Sequence, residues 1–116
     1  MIVLNSEESP WGRFFVLQDE PNYKLKRIKV VPRGSISYQY HFIRSELWII
    51  AEGADIITLD VVDKEYSMGQ TISIPRGIKH RIENRSDHKL VFIEFQTGSY
   101  FGEDDFVRIE DDYNRL

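Results

Sequence analysis

Cysteine is absent from the 116 residues, so neither a disulfide framework nor a thiolate metal site is available. No apolar run approaches the ~20 residues of a membrane-spanning helix. The start, Met1-Ile-Val-Leu-Asn5, lacks the basic residues and longer apolar stretch of a secretory signal, and the expected location is the cytoplasm. Excess positive charge is missing too. A formal net charge of -4 and a pI near 5.3 give no broad attraction to nucleic acid or to an anionic membrane, so neither is expected as a partner. An anionic ligand would need a local cationic pocket. What remains is ordinary globular material, 41% hydrophobic, 13% aromatic and 29% charged, in a length that suits one domain over residues 1–116.

No long helical period is visible, and the chain divides instead into short alternating runs between turn signals. Ser6 to Arg13 contains Pro10 and Gly12 and reads as a turn-rich opening, after which Phe14 to Leu17 reads as the first strand. Tyr23 to Val31 alternates with a slip at Arg27-Ile28, which reads either as a bulge or as a strand buried on one face for only part of its length. Ile36 to His41, Leu47 to Ala51, Ile56 to Val62, Glu65 to Tyr66, Thr71 to Ile74, Ile78 to Ile82 and Lys89 to Gln96 follow as further strands. The tail from Thr97 to Leu116 is acidic. Strands spaced by roughly 8 to 12 residues, without helices, predict an all-β sandwich or barrel.

Two of the three histidines share these alternating runs with apolar neighbours. A single such histidine reads as a core residue satisfied by a neighbour, but Gln39 and His41 point the same way on one strand while His80 lies on another. His88, in the polar turn Ser86-Asp87-His88-Lys89, reads as a surface residue.

Residues 34–53 and 69–84 together resemble the two signature motifs of the cupin superfamily. The first has Gly34, Gln39-x-His41 in place of the usual histidine pair, Glu46 and Gly53; the second has Gly69, Pro75-x-Gly77, His80 and Asn84. The resemblance implies a double-stranded β-helix, a small jelly-roll barrel with a ligand cavity at its open end. It would put Gln39, His41 and His80 into that cavity with Glu46 beside them, and two imidazoles, a carboxylate and an amide oxygen suit zinc, manganese, iron, cobalt or nickel. A narrower likeness runs from Pro10-Trp-Gly12 through Arg44-Ser-Glu46-Leu-Trp48 to Gln96-Thr-Gly-Ser-Tyr-Phe-Gly-Glu-Asp-Asp-Phe-Val-Arg108. Those segments look like the cupin domain of type II mannose-6-phosphate isomerases, which is usually joined to a larger mannose-1-phosphate guanylyltransferase part.

That likeness implies interconversion of mannose 6-phosphate and fructose 6-phosphate with a divalent metal, zinc first, held by Gln39, His41, Glu46 and His80. Proton transfer between C1 and C2 needs a base, an oxyanion stabiliser and a cation for the phosphate. Arg44 is the candidate contact to substrate, Lys79 and Arg76 flank His80 as phosphate ligands, and Glu94 is the candidate base. Phe42-Ile43 and Leu47 stand where the family commonly has further histidines. The alternative is therefore a non-catalytic cupin that binds a sugar or sugar nucleotide, or an isomerase or epimerase for another sugar. The expected partners are a small sugar phosphate and a second copy of the chain in a homodimer, either aromatic segment, Trp11 to Phe15 or Tyr100 to Phe106, supplying the interface or an exchanged strand.

Overall fold

The computed structural model describes residues 3–102 and 104–110. Glu103 and the acidic end at 111–116 lie outside the described residues. Eleven strands and no helix make up the described chain, and no helix is long and apolar enough to cross a membrane. They are β1 (Asn5–Ser9), β2 (Gly12–Asp19), β3 (Tyr23–Val30), β4 (Tyr38–Tyr40), β5 (Arg44–Glu52), β6 (Ala54–Leu59), β7 (Val62–Ser67), β8 (Thr71–Ile74), β9 (His80–Glu83), β10 (Leu90–Gly98) and β11 (Val107–Glu110). Two antiparallel sheets result, ordered β1-β2-β3-β10-β5-β8 and β11-β4-β9-β6-β7.

Alternation in these strands sends one face inward. Ile28 and Val30 of β3, Trp48 and Ile50 of β5, Ile57 of β6, Ile72 and Ile74 of β8, Ile82 of β9, and Leu90 and Phe92 of β10 join Trp11 and Ile36 in one buried cluster. Each such aliphatic side chain contributes roughly 1.5 to 3 kcal/mol by leaving water. Strand β10 shows how the interior changes along its length. Its inward residues are Leu90, Phe92, Glu94 and Gln96, all buried, so the same face is apolar at one end of the barrel and polar at the other. Register carries that division across the sheet: Lys26 of β3 and Trp48 of β5 sit opposite Glu94, and Glu46 of β5 sits opposite Gln96.

Three details correct or narrow the sequence reading. The opening is a hairpin, since Asn5 to Ser9 pairs with Gly12 to Val16 around Pro10-Trp11; a neighbouring strand supplies hydrogen bonds that its polar composition gave no sign of. Of the two readings of the slip at Arg27-Ile28, the bulge is absent from β3 and the other holds: one face is buried only from Lys26 onward. Lys26, Ile28 and Val30 are all buried and Arg27 is exposed, so a lysine occupies an inward position, while the register shift lies in β2 between Val16 and Gln18. The run from Ile36 to His41 is strand only over Tyr38 to Tyr40, and the acidic tail contributes β11.

Two glycines show why the motif turns need them. Gly53 has φ 90° between β5 and β6, where a Cβ would lie 2.8 Å from the Lys89 carbonyl oxygen. Gly77 has φ 81° in the turn after Pro75, and its N–H donates to the His41 carbonyl at 2.7 Å. That bond ties the second motif to the first.

Candidate metal centre

His41, Glu46 and His80 converge at the polar end of the barrel, all buried, with one ligand atom from each within 4.8 Å of the others. His41 follows β4, Glu46 is an inward residue of β5, and His80 opens β9. The cross-strand pair Gln39 with His80 brings β4, which leads into His41, alongside β9. Asn84 of the second motif contributes to the frame: its Nδ2 donates to the carbonyls of Val31 and His88, and its Oδ1 accepts from Ser86.

Hydrogen bonding assigns the imidazole tautomers. His41 Nδ1 lies 2.8 Å from the Asp105 carbonyl oxygen and His80 Nδ1 lies 2.9 Å from that of Ile78. A carbonyl only accepts, so each Nδ1 carries the proton and each Nε2 presents a lone pair. Those Nε2 atoms lie 3.5 Å and 3.6 Å from Glu46 Oε2 and Oε1 respectively. Ligand atoms on a tetrahedral ion with bonds of ~2.1 Å sit about 3.4 Å apart, close to both distances. Two of the facing atoms, His80 Nε2 and Glu46 Oε1, are buried without a hydrogen-bond partner among the described residues. Buried orphan acceptors are costly, and a shared cation would satisfy both, so these residues fit a divalent metal.

Electrostatics favour the ligand form of both rings. Burial, then the Arg44 charge, pushes His41 down to about 4, and burial likewise lowers His80. Neutral imidazoles at pH 7 bind metal without first releasing a proton. Burial, then the nearby Glu46 charge, raises Glu94, which accepts hydrogen bonds from Trp48 Nε1 at 3.0 Å and Gln96 Nε2 at 2.8 Å.

The other expected site residues separate. Gln39 is buried on the cavity wall, and its Oε1 accepts from Ser37 Oγ at 3.1 Å. Arg44 is buried, donating from Nε to Glu46 Oε2 at 3.0 Å, with Nη2 3.4 Å from His41 Nε2. Lys79 and Arg76 are exposed and line no part of the cavity, because alternation that turns His80 inward turns Lys79 outward. His88 is exposed, as its turn implied.

Three contributors were missed. Lys26 and Arg108 line the cavity with Arg44, and Asp105 holds the ligand loop: its carboxylate accepts the N–H groups of Phe42 at 2.8 Å and Ile43 at 2.9 Å. Burial opposes its ionisation, but these backbone donors hold its carboxyl below the usual range. The conspicuous aromatic-acidic run around Asp105 was the available signal; an acidic tail otherwise reads as solvated surface.

Between the sheets a cavity of about 370 Å³ opens beside this cluster, its polar wall including Lys26, Ser37, Gln39, Arg44, Glu94 and Arg108. Trp11, Phe14, Trp48 and Phe106 supply aromatic surface to the same space.

A two-sheet β-barrel with a buried histidine-glutamate cluster at the polar end defines a cupin. Residues 4–111 match the family described as mannose-6-phosphate isomerase C-terminal, and the chain belongs to that family. Among its relatives, a mannose-1-phosphate guanylyltransferase of Escherichia coli is 41% identical over 106 residues, covering 91% of this chain and 22% of the relative. The xanthan biosynthesis protein XanB of Xanthomonas campestris is 39% identical over 106 residues, covering 91% of this chain and 23% of that protein. Among solved structures, the capsular polysaccharide assembling protein CapF of Staphylococcus aureus superposes with TM-score 0.83 at 18% identity, over 96% of this chain and 34% of CapF. A Cupin 2 conserved barrel domain protein of Salinispora arenicola gives TM-score 0.68 at 20% identity, over 75% and 76% of the two chains. These structural likenesses establish the fold.

The relatives correct the expected activity. Proteins similar over nine-tenths of this chain are named for guanylyl transfer to mannose 1-phosphate, and interconversion of mannose 6-phosphate and fructose 6-phosphate is not upheld. This chain spans only about a fifth of their length.

Proposed function

We propose that the domain is a metal-centred binding module for a phosphorylated sugar and that it serves mannose 1-phosphate guanylylation without catalysing it. The observation that carries this reading is the cavity of about 370 Å³, whose lining includes Lys26, Arg44 and Arg108 as well as Glu7, Glu8 and Glu94, beside His41, Glu46 and His80. Its volume lies near the lower end of the roughly 300 to 1,000 Å³ of small-molecule sites, which favours a hexose phosphate over a bulkier nucleotide sugar. The relatives' name supplies the sugar, mannose 1-phosphate.

In this reading His41, Glu46 and His80 hold the ion, and the second lone pair of the Gln39 amide oxygen makes a fourth ligand. Two imidazoles, a carboxylate and an amide suit zinc best, and a bound zinc supplies a Lewis-acidic anchor for sugar hydroxyls. Lys26, Arg44 and Arg108 neutralise the phosphate, Glu94 and Ser37 receive sugar hydroxyls, and the aromatic wall excludes water. A homodimer belongs to the proposal as well: Leu47 and Ile49 leave an apolar strip exposed on the outer face of β5.

Elemental analysis of the purified protein followed by calorimetric titration with mannose 1-phosphate tests the reading. One metal per chain and saturable binding that weakens in a Lys26→Met variant are expected. Protein that carries metal yet takes up no mannose 1-phosphate overturns the ligand assignment, and a monomeric mass at micromolar concentration removes the dimer.

A further inference from the structure

Arg44 is placed oddly for a group that only receives ligand. Its cationic head sits among the metal-ligand atoms themselves, with Nε donating to Glu46 Oε2 at 3.0 Å and Nη2 3.4 Å from His41 Nε2. It also lines the cavity, and its Nη1 is buried without a hydrogen-bond partner among the described residues. One side chain therefore touches two of the three metal ligands and the space proposed for the phosphate.

Geometry makes these roles exclusive. The Nε2 lone pair of His41 is single, because its Nδ1 proton is given to the Asp105 carbonyl, and it cannot serve both a guanidinium N–H and an ion at ~2.1 Å. A dication placed between His41, Glu46 and His80 would also stand within a few ångströms of the guanidinium charge, in a buried setting where screening is weak. Guanidinium and metal thus compete for the same carboxylate and the same imidazole. The arginine freed by that competition has one open direction, the cavity, where an anion would meet it.

We propose that Arg44 is an internal competitor for the metal centre whose displacement couples metal binding to phosphate binding. This inference rests on the metal-centre reading above. Metal turns the guanidinium from Glu46 toward the cavity, and phosphate in the cavity holds it there. By linkage each ligand strengthens the other by the same factor, and couplings of this kind commonly amount to about 5- to 150-fold. The rival arrangement has Arg44 steadying Glu46 from outside the coordination sphere, through Oε2, while the metal takes Oε1; removal of the arginine would then weaken metal binding.

The opposite signs make the two separable. Cobalt(II) affinity is measured by competition with a chromophoric chelator for the wild-type chain, Arg44→Met and Arg44→Lys, in chloride and in inorganic phosphate at matched ionic strength, with thermal melts of each protein alongside. Competition predicts that Arg44→Met binds cobalt about tenfold more tightly than wild type, that Arg44→Lys lies between them, and that phosphate tightens cobalt binding about fivefold or more in wild type but not in Arg44→Met. Equal or weaker cobalt affinity in folded Arg44→Met, with wild type binding one equivalent, overturns the competition while leaving the metal centre in place. Folded wild type and Arg44→Met that both fail to take up cobalt overturn the metal centre itself. If Arg44→Met does not fold, the wild-type phosphate dependence decides: an affinity unmoved or weakened by phosphate refutes the coupling.

Discussion

Asp105→Ala is the sharpest perturbation of the loop that delivers His41. The carboxylate receives two backbone N–H groups, Phe42 at 2.8 Å and Ile43 at 2.9 Å, while only 4% of the residue is exposed. Hydrogen bonds to a charged acceptor contribute about 1.5 to 3 kcal/mol each, and partial access of water to the exposed Phe42 side reduces the sum, so truncation costs about 2 to 4 kcal/mol. At about 4 °C per kcal/mol for a domain of this size, the melting temperature falls by about 8 to 16 °C. Asp105→Asn keeps one acceptor but aims an NH2 group at the second N–H, and it costs about 1 to 2 kcal/mol.

The pH dependence has a definite sign. The folded carboxyl is held below its ordinary value, so its stabilisation is complete above the unfolded value of about 3.9 and disappears as pH falls through the lower folded value. Melts of wild type and Asp105→Ala should therefore differ by a constant amount between about pH 5 and 8 and converge in stronger acid. The backbone carbonyl that fixes the His41 tautomer survives the substitution, so metal affinity falls only through the loosened loop, by about tenfold. A variant melting within about 2 °C of wild type at neutral pH would refute this account of the loop.

His80→Ala should abolish stoichiometric metal in elemental analysis, whereas His88→Ala, in an exposed turn, should retain it; equal retention by both would remove the centre from His80. Asp55 is buried on the Ile57 face of β6, and neither carboxylate oxygen has a hydrogen-bond partner among the described residues; burial, then Glu65, pushes it up to about 7. Its folded value exceeds the unfolded ~3.9, so wild type should lose on the order of 3 kcal/mol as pH rises from about 4 to 8, and Asp55→Asn should flatten that slope. Parallel pH–stability curves for the two proteins would contradict it. Ile43→His should gain no metal, since Arg44, not residue 43, takes the inward place after His41, and at this half-buried position it should cost about 1 kcal/mol or less. Added metal with an unchanged melting temperature would show that the loop can turn residue 43 inward.

Alternation and turn residues were enough to establish the all-β class and most strand positions, and the resemblance to the cupin motifs grouped His41, Glu46 and His80. Those signals are local: a pleated strand has period two, and Gly53 and Gly77 mark turns whose positive φ excludes most side chains. Tertiary structure decided what local signals leave open. Period two gives two faces without saying which is inside, so β10 alone could not show that Glu94 and Gln96 share the buried face with Phe92, nor β3 that Lys26 points inward. Nor could it reveal the break after His41, where Phe42 and Ile43 are drawn to the Asp105 carboxylate and Arg44 takes the inward position. That break depends on a carboxylate more than sixty residues away, supplied by a segment whose acidic composition looks solvated. Pairing of distant strands, rather than the residue pattern within either, placed a guanidinium among the candidate metal-ligating side chains and left Lys79 in solvent.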